Sequence, residues 1–251
     1  MKKSEVASSV AEVLQPGEHI KKLLQEAARG DSPIGYVPEK KFPRIEALFS
    51  DWRLWDVKNR VVNLYLTSSW ADQLLYHNIF HTMDVYMCAV MYGEMERLSP
   101  EKRELLAAAA VFHDLGFIRQ YKANEPYGAK IAEAIGKRFE YSEDELKVMS
   151  EVIMDTTMPQ QPRSHLGKII CDSDLDNLGR PDFFFKGHLV RLELAIFDKK
   201  VMPDIQWLEF QQKFLKSHRY FTKAASLMRG EVKKKNLETV SEVIEVMRRR
   251  A

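Results

Sequence analysis

Three short polar stretches, each standing directly behind apolar residues, constrain this chain more than anything else in it. Tyr76-His77-Asn78-Ile79-Phe80-His81-Thr82-Met83-Asp84-Val85 carries two of the seven histidines four residues apart, in a segment that reads as helix. Four residues is just over one helical turn, so both imidazoles are expected on one face. Val111-Phe112-His113-Asp114-Leu115-Gly116 sets a histidine beside an aspartate at the end of an alanine-rich run. Ile169-Ile170-Cys171-Asp172-Ser173-Asp174-Leu175-Asp176 brings a carboxylate cluster directly after apolar residues. Taken singly, each has an ordinary reading. A charged Asp114 at the end of an apolar helix is costly unless paired, and a metal, an arginine or a helix-terminal hydrogen-bond network could each satisfy it. His81 alone reads as a packed or surface histidine, and Asp174 alone as one of several solvated carboxylates. Taken together, two imidazoles and two carboxylates suit one or two divalent ions, among Mn²⁺, Fe²⁺, Ni²⁺, Co²⁺, Zn²⁺ or Mg²⁺. The apolar residues before each stretch are what the wall of a buried site requires.

The rest of the chain reads as helix. Leu14, Ile20, Leu23, Leu24 and Ala27 recur at helical spacing within residues 1–29, with a break near Pro16-Gly17, and Gly30 to Pro43 reads as loop. A helical pattern resumes at Arg44 and runs to Trp55. Asp56 is expected to cap the next helix, from Val57 to about Tyr65. Ser68 or Ser69 is expected to cap a helix through Trp70 and Leu74 to the histidine pair, with a break at or near Asn78 before the next. Ser99-Pro100-Glu101 is a helix start with proline in the first turn. Ser142 stands three residues before Glu145 in capping-box spacing, and a helix from about Ser164 carries Asp172 and Asp174. Helices are expected at about 182–199, 204–227 and 231–249. No alternating strand run or Asn-Gly hairpin signal is present. The expected class is all-α, organised as a single domain over residues 1–251.

Composition enters mainly by exclusion. Thirty-eight lysines and arginines against thirty-six acidic residues give a net charge of +2. With both signs interspersed, this argues against nucleic acid as the main partner. Cys88 and Cys171 lie in apolar contexts without paired-Cys zinc spacing, and are expected to be buried free thiols. No stretch approaches a membrane span or a signal-peptide core, so a cytoplasmic location and no membrane partner are expected.

His81, then His113-Asp114, then Asp174 resembles the H…HD…D pattern of the HD-domain metal-dependent phosphohydrolases. The segment around His77 and His81 is similar to the corresponding one in the cyclic-nucleotide phosphodiesterases of that superfamily, and Cys171 to Asn177 is similar to their last-ligand segment. The resemblance covers about residues 74–180. It implies a compact multi-helix bundle with helical extensions at about 1–43 and 182–249. It further implies that His81, His113, Asp114 and Asp174 hold the principal metal, with Asp114 bridging to any second ion. His77 would stand just outside that set and protonate the leaving alkoxide. The implied activity is hydrolysis of a small phosphomonoester or phosphodiester, with a nucleotide as the expected substrate, through a metal-activated water. Asp172 lies about 200° from Asp174 on an ideal helix, so the two are not expected at one ion; the resemblance selects Asp174. The alternatives are a non-catalytic nucleotide- or metal-binding sensor and an oxygenase on the same scaffold. Only His165 lies between the HD pair and Asp174, which weighs against the latter. The glutamine-centred purine clamp of the cyclic-nucleotide enzymes is not evident, so that specificity is not carried over.

Around the centre, several readings stay open. Asp84 either orients a histidine or forms a helix-surface salt bridge. Glu125 either bonds a metal-bound water or caps the helix before Tyr127, and Asp176 reads as a solvated or capping neighbour. Arg180, Lys186, His188 and Arg191 follow the last ligand; Arg180 and Lys186 are the candidates for substrate phosphate, against the reading of a solvated helix face. Phe183-Phe184-Phe185 is expected in the core. Within Lys216 to Thr222, His218 is a candidate pocket residue. Lys233 to Lys235 and Arg248 to Arg250 are expected to be solvated. The terminal helices would either pack on the body or pair two copies as a homodimer.

Overall fold

The periodicity of Val57, Val61 and Tyr65, all buried, carries one helix straight through Asp56. This helix, α1 (Trp52–Thr67), replaces the expected start at Val57 because the apolar stripe continues through the proposed cap. It is the first element of a computed structural model that describes residues 52–250, within one compact unit, Asp51–Ala251. The helices expected in residues 1–43, and most of the pattern from Arg44, lie outside the described residues. Among the described residues the secondary structure is all helix, and no helix is long and apolar enough to cross a membrane.

Residues 68–78 form turns rather than the expected helix. α2 (Ile79–Met95) begins only after Asn78, whose side-chain oxygen accepts from the backbone N–H groups of Phe80 (2.9 Å) and His81 (3.4 Å). Asn78 is therefore the N-cap. His81 lies in the first turn of α2 and His77 lies outside it, so the two histidines do not share a helix face as their spacing predicted. α3 (Pro100–Phe112) starts at Ser99, with proline in the first turn. Its continuous buried run from Leu106 to Phe112 packs against α1, α2, α4 (Glu125–Gly136), α5 (Glu143–Met154) and α6 (His165–Asp174). Small alanines let these neighbours approach from several sides. A 3₁₀ turn, Leu115–Ile118, then folds the chain back toward α4. Gly116 is required there, since a Cβ would meet the Asn124 carbonyl oxygen at 1.9 Å. The predicted capping box opens α5, with Ser142 N–H donating to Glu145 at 2.7 Å and Glu145 N–H donating to the Ser142 hydroxyl at 3.3 Å.

After α6 and a 3₁₀ turn, Asp176–Gly179, the chain forms α7 (Phe183–Phe197), α8 (Asp204–Ser217) and α9 (Lys223–Arg250). Leu178, Phe183, Leu215, Val240 and Ile244 form a second core between these elements. Phe183 is buried there, whereas Phe184 and Phe185 are exposed, which corrects the expectation that all three are core. The break expected near residues 228–230 is also misplaced. Gly230 lies inside α9, and the interruption falls at residues 218–222. The cause is Asp172. Its carboxylate accepts from the backbone N–H groups of Phe221 (2.8 Å) and Thr222 (2.7 Å) and from the Thr222 hydroxyl (2.6 Å). Thr222 in turn accepts from Ala225 N–H at 3.2 Å, so it caps α9. The helix carrying the last expected ligand is thus tied directly to the start of α9. Asp172→Ala removes three bonds and strands two N–H groups; it should lower stability by about 3 kcal/mol, measured by urea unfolding.

Candidate metal centre

His81 arrives on the first turn of α2, His113 at the C-cap of α3, Asp114 one residue later, and Asp174 at the end of α6. The four side chains each offer one ligand atom, and these atoms all lie within 4.8 Å of one another. His81 Nε2 is 3.1 Å from Asp174 Oδ1 and 3.3 Å from Asp114 Oδ2. His113 Nε2 is 3.2 Å from Asp114 Oδ2 and 3.7 Å from Asp174 Oδ1. Ligands held at ~2.1 Å from one ion stand ~3.0 Å apart at right angles and ~3.4 Å apart at tetrahedral angles. The observed separations lie close to that range.

Hydrogen bonding also fits an ion. His113 Nδ1 donates to the Ala110 carbonyl at 2.8 Å, which leaves Nε2 as the atom facing the other ligands. His113 Nε2 and Asp114 Oδ2 are fully buried and have no hydrogen-bond partner. The outer oxygen of Asp174 accepts from Gln160 Nε2 at 2.9 Å, which fixes that carboxylate's orientation. Two residues of the chain turn are held against α4: a Cβ on Gly128 would stand 3.0 Å from the His113 carbonyl oxygen. Burial alone would lower the basicity of His113, but Asp114 and Asp174 outweigh it and raise its pKa well above the ordinary value. Burial would raise Asp114, yet the neighbouring imidazoles, His113 foremost, hold it well below the usual carboxylate range. The same opposition lowers Asp174, through His113 and His81. A site that favours a proton on Nε2 between two carboxylates also favours a cation there, since both compete for the same lone pair.

Residues 78–176 match the family model described as the HD domain, and that stretch contains all four ligands. This part of the chain is an HD domain. The comparisons with curated proteins and with solved structures give no match. HD domains are typical of metal-dependent phosphohydrolases, and the four-residue cluster fits an HD-type metal site, which suggests a divalent ion.

Beside the HD-domain ligands stands a residue that sequence reasoning missed. Glu193 of α7 is wholly buried, and its carboxylate accepts from the backbone N–H groups of Tyr76 (2.8 Å) and His77 (3.1 Å) and bonds His77 Nδ1 closely. Its one sequence signal is an acidic residue within the apolar run Leu192 to Phe197. Burial opposes charge on His77, but Glu193 overrides it and raises the imidazole pKa to about 9. The ring also stacks on Phe117, with centroids 4.2 Å apart and planes at 19°.

The flanking residues sort themselves by contact. A cavity beside the ligands is lined by His81, Asp84, Asp174, Asp176, Arg180 and Lys186, with five neighbours. Asp84 takes the salt-bridge reading: it pairs with Lys186 (2.8 Å) and Arg180 (3.5 Å) rather than orienting a histidine. Asp176 is buried, not solvated, because Tyr92 and Arg229 (2.7 Å) both bond it. Glu125 is the first residue of α4. His165 is half-exposed and 3.5 Å from Glu96. Cys88 and Cys171 are buried free thiols as expected. His188 is exposed, and Arg191 pairs with Asp204. His218 stands apart from the cavity lining, with its ring against Tyr220 and with neither ring nitrogen hydrogen-bonded.

Two expectations follow. Adding Mn²⁺ to a hundredfold excess over its Kd should stabilise the wild type by about 3 kcal/mol and leave Asp114→Ala unmoved, read by thermal unfolding beside elemental analysis. Burial, with Lys233 adding to it, lowers the His218 pKa to about 4. The unfolded chain therefore binds a proton below about 6.5 that the folded chain refuses until about 4. That difference removes stability as the pH falls through this window. His218→Gln should flatten the acid limb of the stability profile relative to wild type between those values.

Proposed function

We propose that this chain is a metal-dependent phosphohydrolase that cleaves a small phosphate ester, with a nucleotide as the preferred class. The observation that carries the reading is a complete metal-ligand set with a separate histidine fixed beside it. His81, His113, Asp114 and Asp174 would hold the ion. A divalent ion there lowers the pKa of water and neutralises charge on phosphoryl oxygens.

His77 has a different task from the ligands. Its backbone and its Nδ1 are both engaged by Glu193, and Phe117 covers one ring face. The ring is thereby fixed in position, with Nε2 left as the atom that presents a proton to a leaving oxygen. Such placement is what general acid catalysis needs, since the donor must already stand within hydrogen-bond reach of the departing group. Glu193 is the positioning residue, holding ring orientation and proton together. A binding-only sensor has no use for this second constellation.

His77→Ala should lower kcat by ~10²–10⁴-fold while metal content stays at the wild-type level. Glu193→Gln should fall between the two and shift the alkaline limb of the kcat profile. Loss of metal from His77→Ala would instead make His77 a ligand and remove this role. Tight nucleotide binding without turnover across Mn²⁺, Mg²⁺, Ni²⁺ and Co²⁺ would favour the sensor.

A further inference from the structure

Of the four ligands, Asp174 is the one that solvent reaches most. Its side chain is 17 % exposed, against 9 % for Asp114, 4 % for His81 and 0 % for His113. Of the four, His81 and Asp174 line the cavity beside the centre. The His81 ring packs on Tyr76, with centroids 4.5 Å apart, so it is held in place. Asp174 is the last residue of α6, and its carboxylate turns about two side-chain bonds. It is therefore the ligand with room to swing aside.

One contact opposes that swing. Gln160 Nε2 donates to the outer oxygen of Asp174, Oδ2, at 2.9 Å, while Oδ1 stands 3.1 Å from His81 Nε2. Gln160 lies between α5 and α6, half-buried, whereas its neighbours Pro159 and Gln161 are exposed. The base of this segment is closed. The Asp155 carboxylate accepts from Arg163 N–H at 3.2 Å and from Arg163 Nε at 3.3 Å, and the Asp155 carbonyl oxygen accepts from the Cys171 thiol at 3.1 Å. Asp155 also lies against Gly167, where a Cβ would stand 1.9 Å from its Oδ2. Gly167 and Cys171 belong to α6, the helix that ends in Asp174. The segment is thus a strap tied to the ligand's own helix, and Pro159 and Pro162 restrict its backbone. Gln160 is presented to Asp174 at a preset reach, so the bond costs little ordering.

We propose that Gln160 is the latch of the metal centre: a positioning residue that keeps Asp174 turned inward and so sets the rate at which the ion leaves. This goes beyond the phosphohydrolase reading and rests on the metal site alone. A bound ion departs only after a ligand has parted from it, and Asp174 is the ligand free to move first. An amide suits the task. It donates to Oδ2 but, unlike a lysine or an arginine, brings no positive charge beside a cation. Entry is a different matter, since His81, His113 and Asp114 meet an incoming ion whether or not Asp174 is latched. The contact is therefore assigned to release and not to capture.

The test uses the full chain loaded with Mn²⁺ and mixed with an excess of a fluorescent chelator, whose quenching reports release. Association is followed separately by stopped flow. Gln160→Met keeps the side chain's length and loses the donor. It should speed release by ~10–100-fold, the usual effect of an outer hydrogen bond on metal affinity, and leave the association rate and the metal-free unfolding temperature at wild-type values. Calorimetric affinity for Mn²⁺ should weaken by the same factor as release. Gln160→Asn, whose amide falls one methylene short, should behave like Gln160→Met, and it decides the question if Gln160→Met proves unstable. Gln161→Met, exposed on the same strap, should match wild type. Unchanged release in both Gln160 variants overturns the proposal. So does affinity lost through slower association, or a Gln161→Met variant that releases as fast, which would make the effect one of strap packing. A wild type that binds no Mn²⁺ removes the metal site itself, and the latch with it.

Discussion

Two carboxylates, Asp114 and Asp174, face two imidazoles at the junction of three helices, and the surrounding architecture answers to that burial. An isolated ionised carboxylate in such a place is untenable. The four groups are tolerable only because each meets an opposite partner at 3.1–3.7 Å. That requirement fixes where α2 must begin, where α3 must stop and where α6 must end. Asn78 caps α2 at the residue that places His81, and the tight turn at Gly116 holds the end of α3 against α4. The alanine-rich interior of α3 lets five other helices close around the site without leaving it exposed.

The last-ligand segment shows how neighbouring carboxylates acquire separate tasks. Asp172, Asp174 and Asp176 alternate along one short stretch, yet each meets a different set of partners. Asp174 faces the imidazoles. Asp172, on the far side of α6, binds the start of α9. Asp176, past the helix end, meets Tyr92 and Arg229. Helical geometry separates the first two by about 200°, so they cannot serve one ion. The outer pair instead hold the inner one in place, one through backbone donors and one through a guanidinium on the same long helix.

The ligand set was legible from the chain because its signal is local: His-Asp at a helix end, His81 behind a capping residue, and Asp174 after an apolar run. All-helical architecture was legible for the same reason, through periodicity and caps such as Ser99 and Ser142. What could not be read is what depends on residues far apart in sequence. The break at Asn78 was legible, since Asn78 caps α2 as its position suggests, but the four-residue spacing of His77 and His81 still suggested a shared helix face that this break removes. Glu193 and Gln160 reach the site through tertiary packing and carry no motif of their own. The break before α9 was missed because its cause, Asp172, lies some fifty residues earlier. Asp176 looked solvated because its buried partners are equally remote.

The division between what is local and what is tertiary coincides with a division in the site. All four metal ligands lie within residues 78–176, the HD domain itself. His77, Lys186 and Glu193 fall outside it, on the turn before α2 and on α7. A metal centre of this kind supplies the same electrostatic help to any phosphate ester that reaches it. In the proposed reading, discrimination among esters would come from groups outside the ligand set, and α7 holds one of them, His77, through Glu193. Because Glu193 lies on α7 and His77 on the turn before α2, the placement of the imidazole depends on how α7 meets that turn. In the proposed hydrolase reading, the residues that would hold the ion lie within 78–176, whereas His77 and its anchor Glu193 lie outside that stretch.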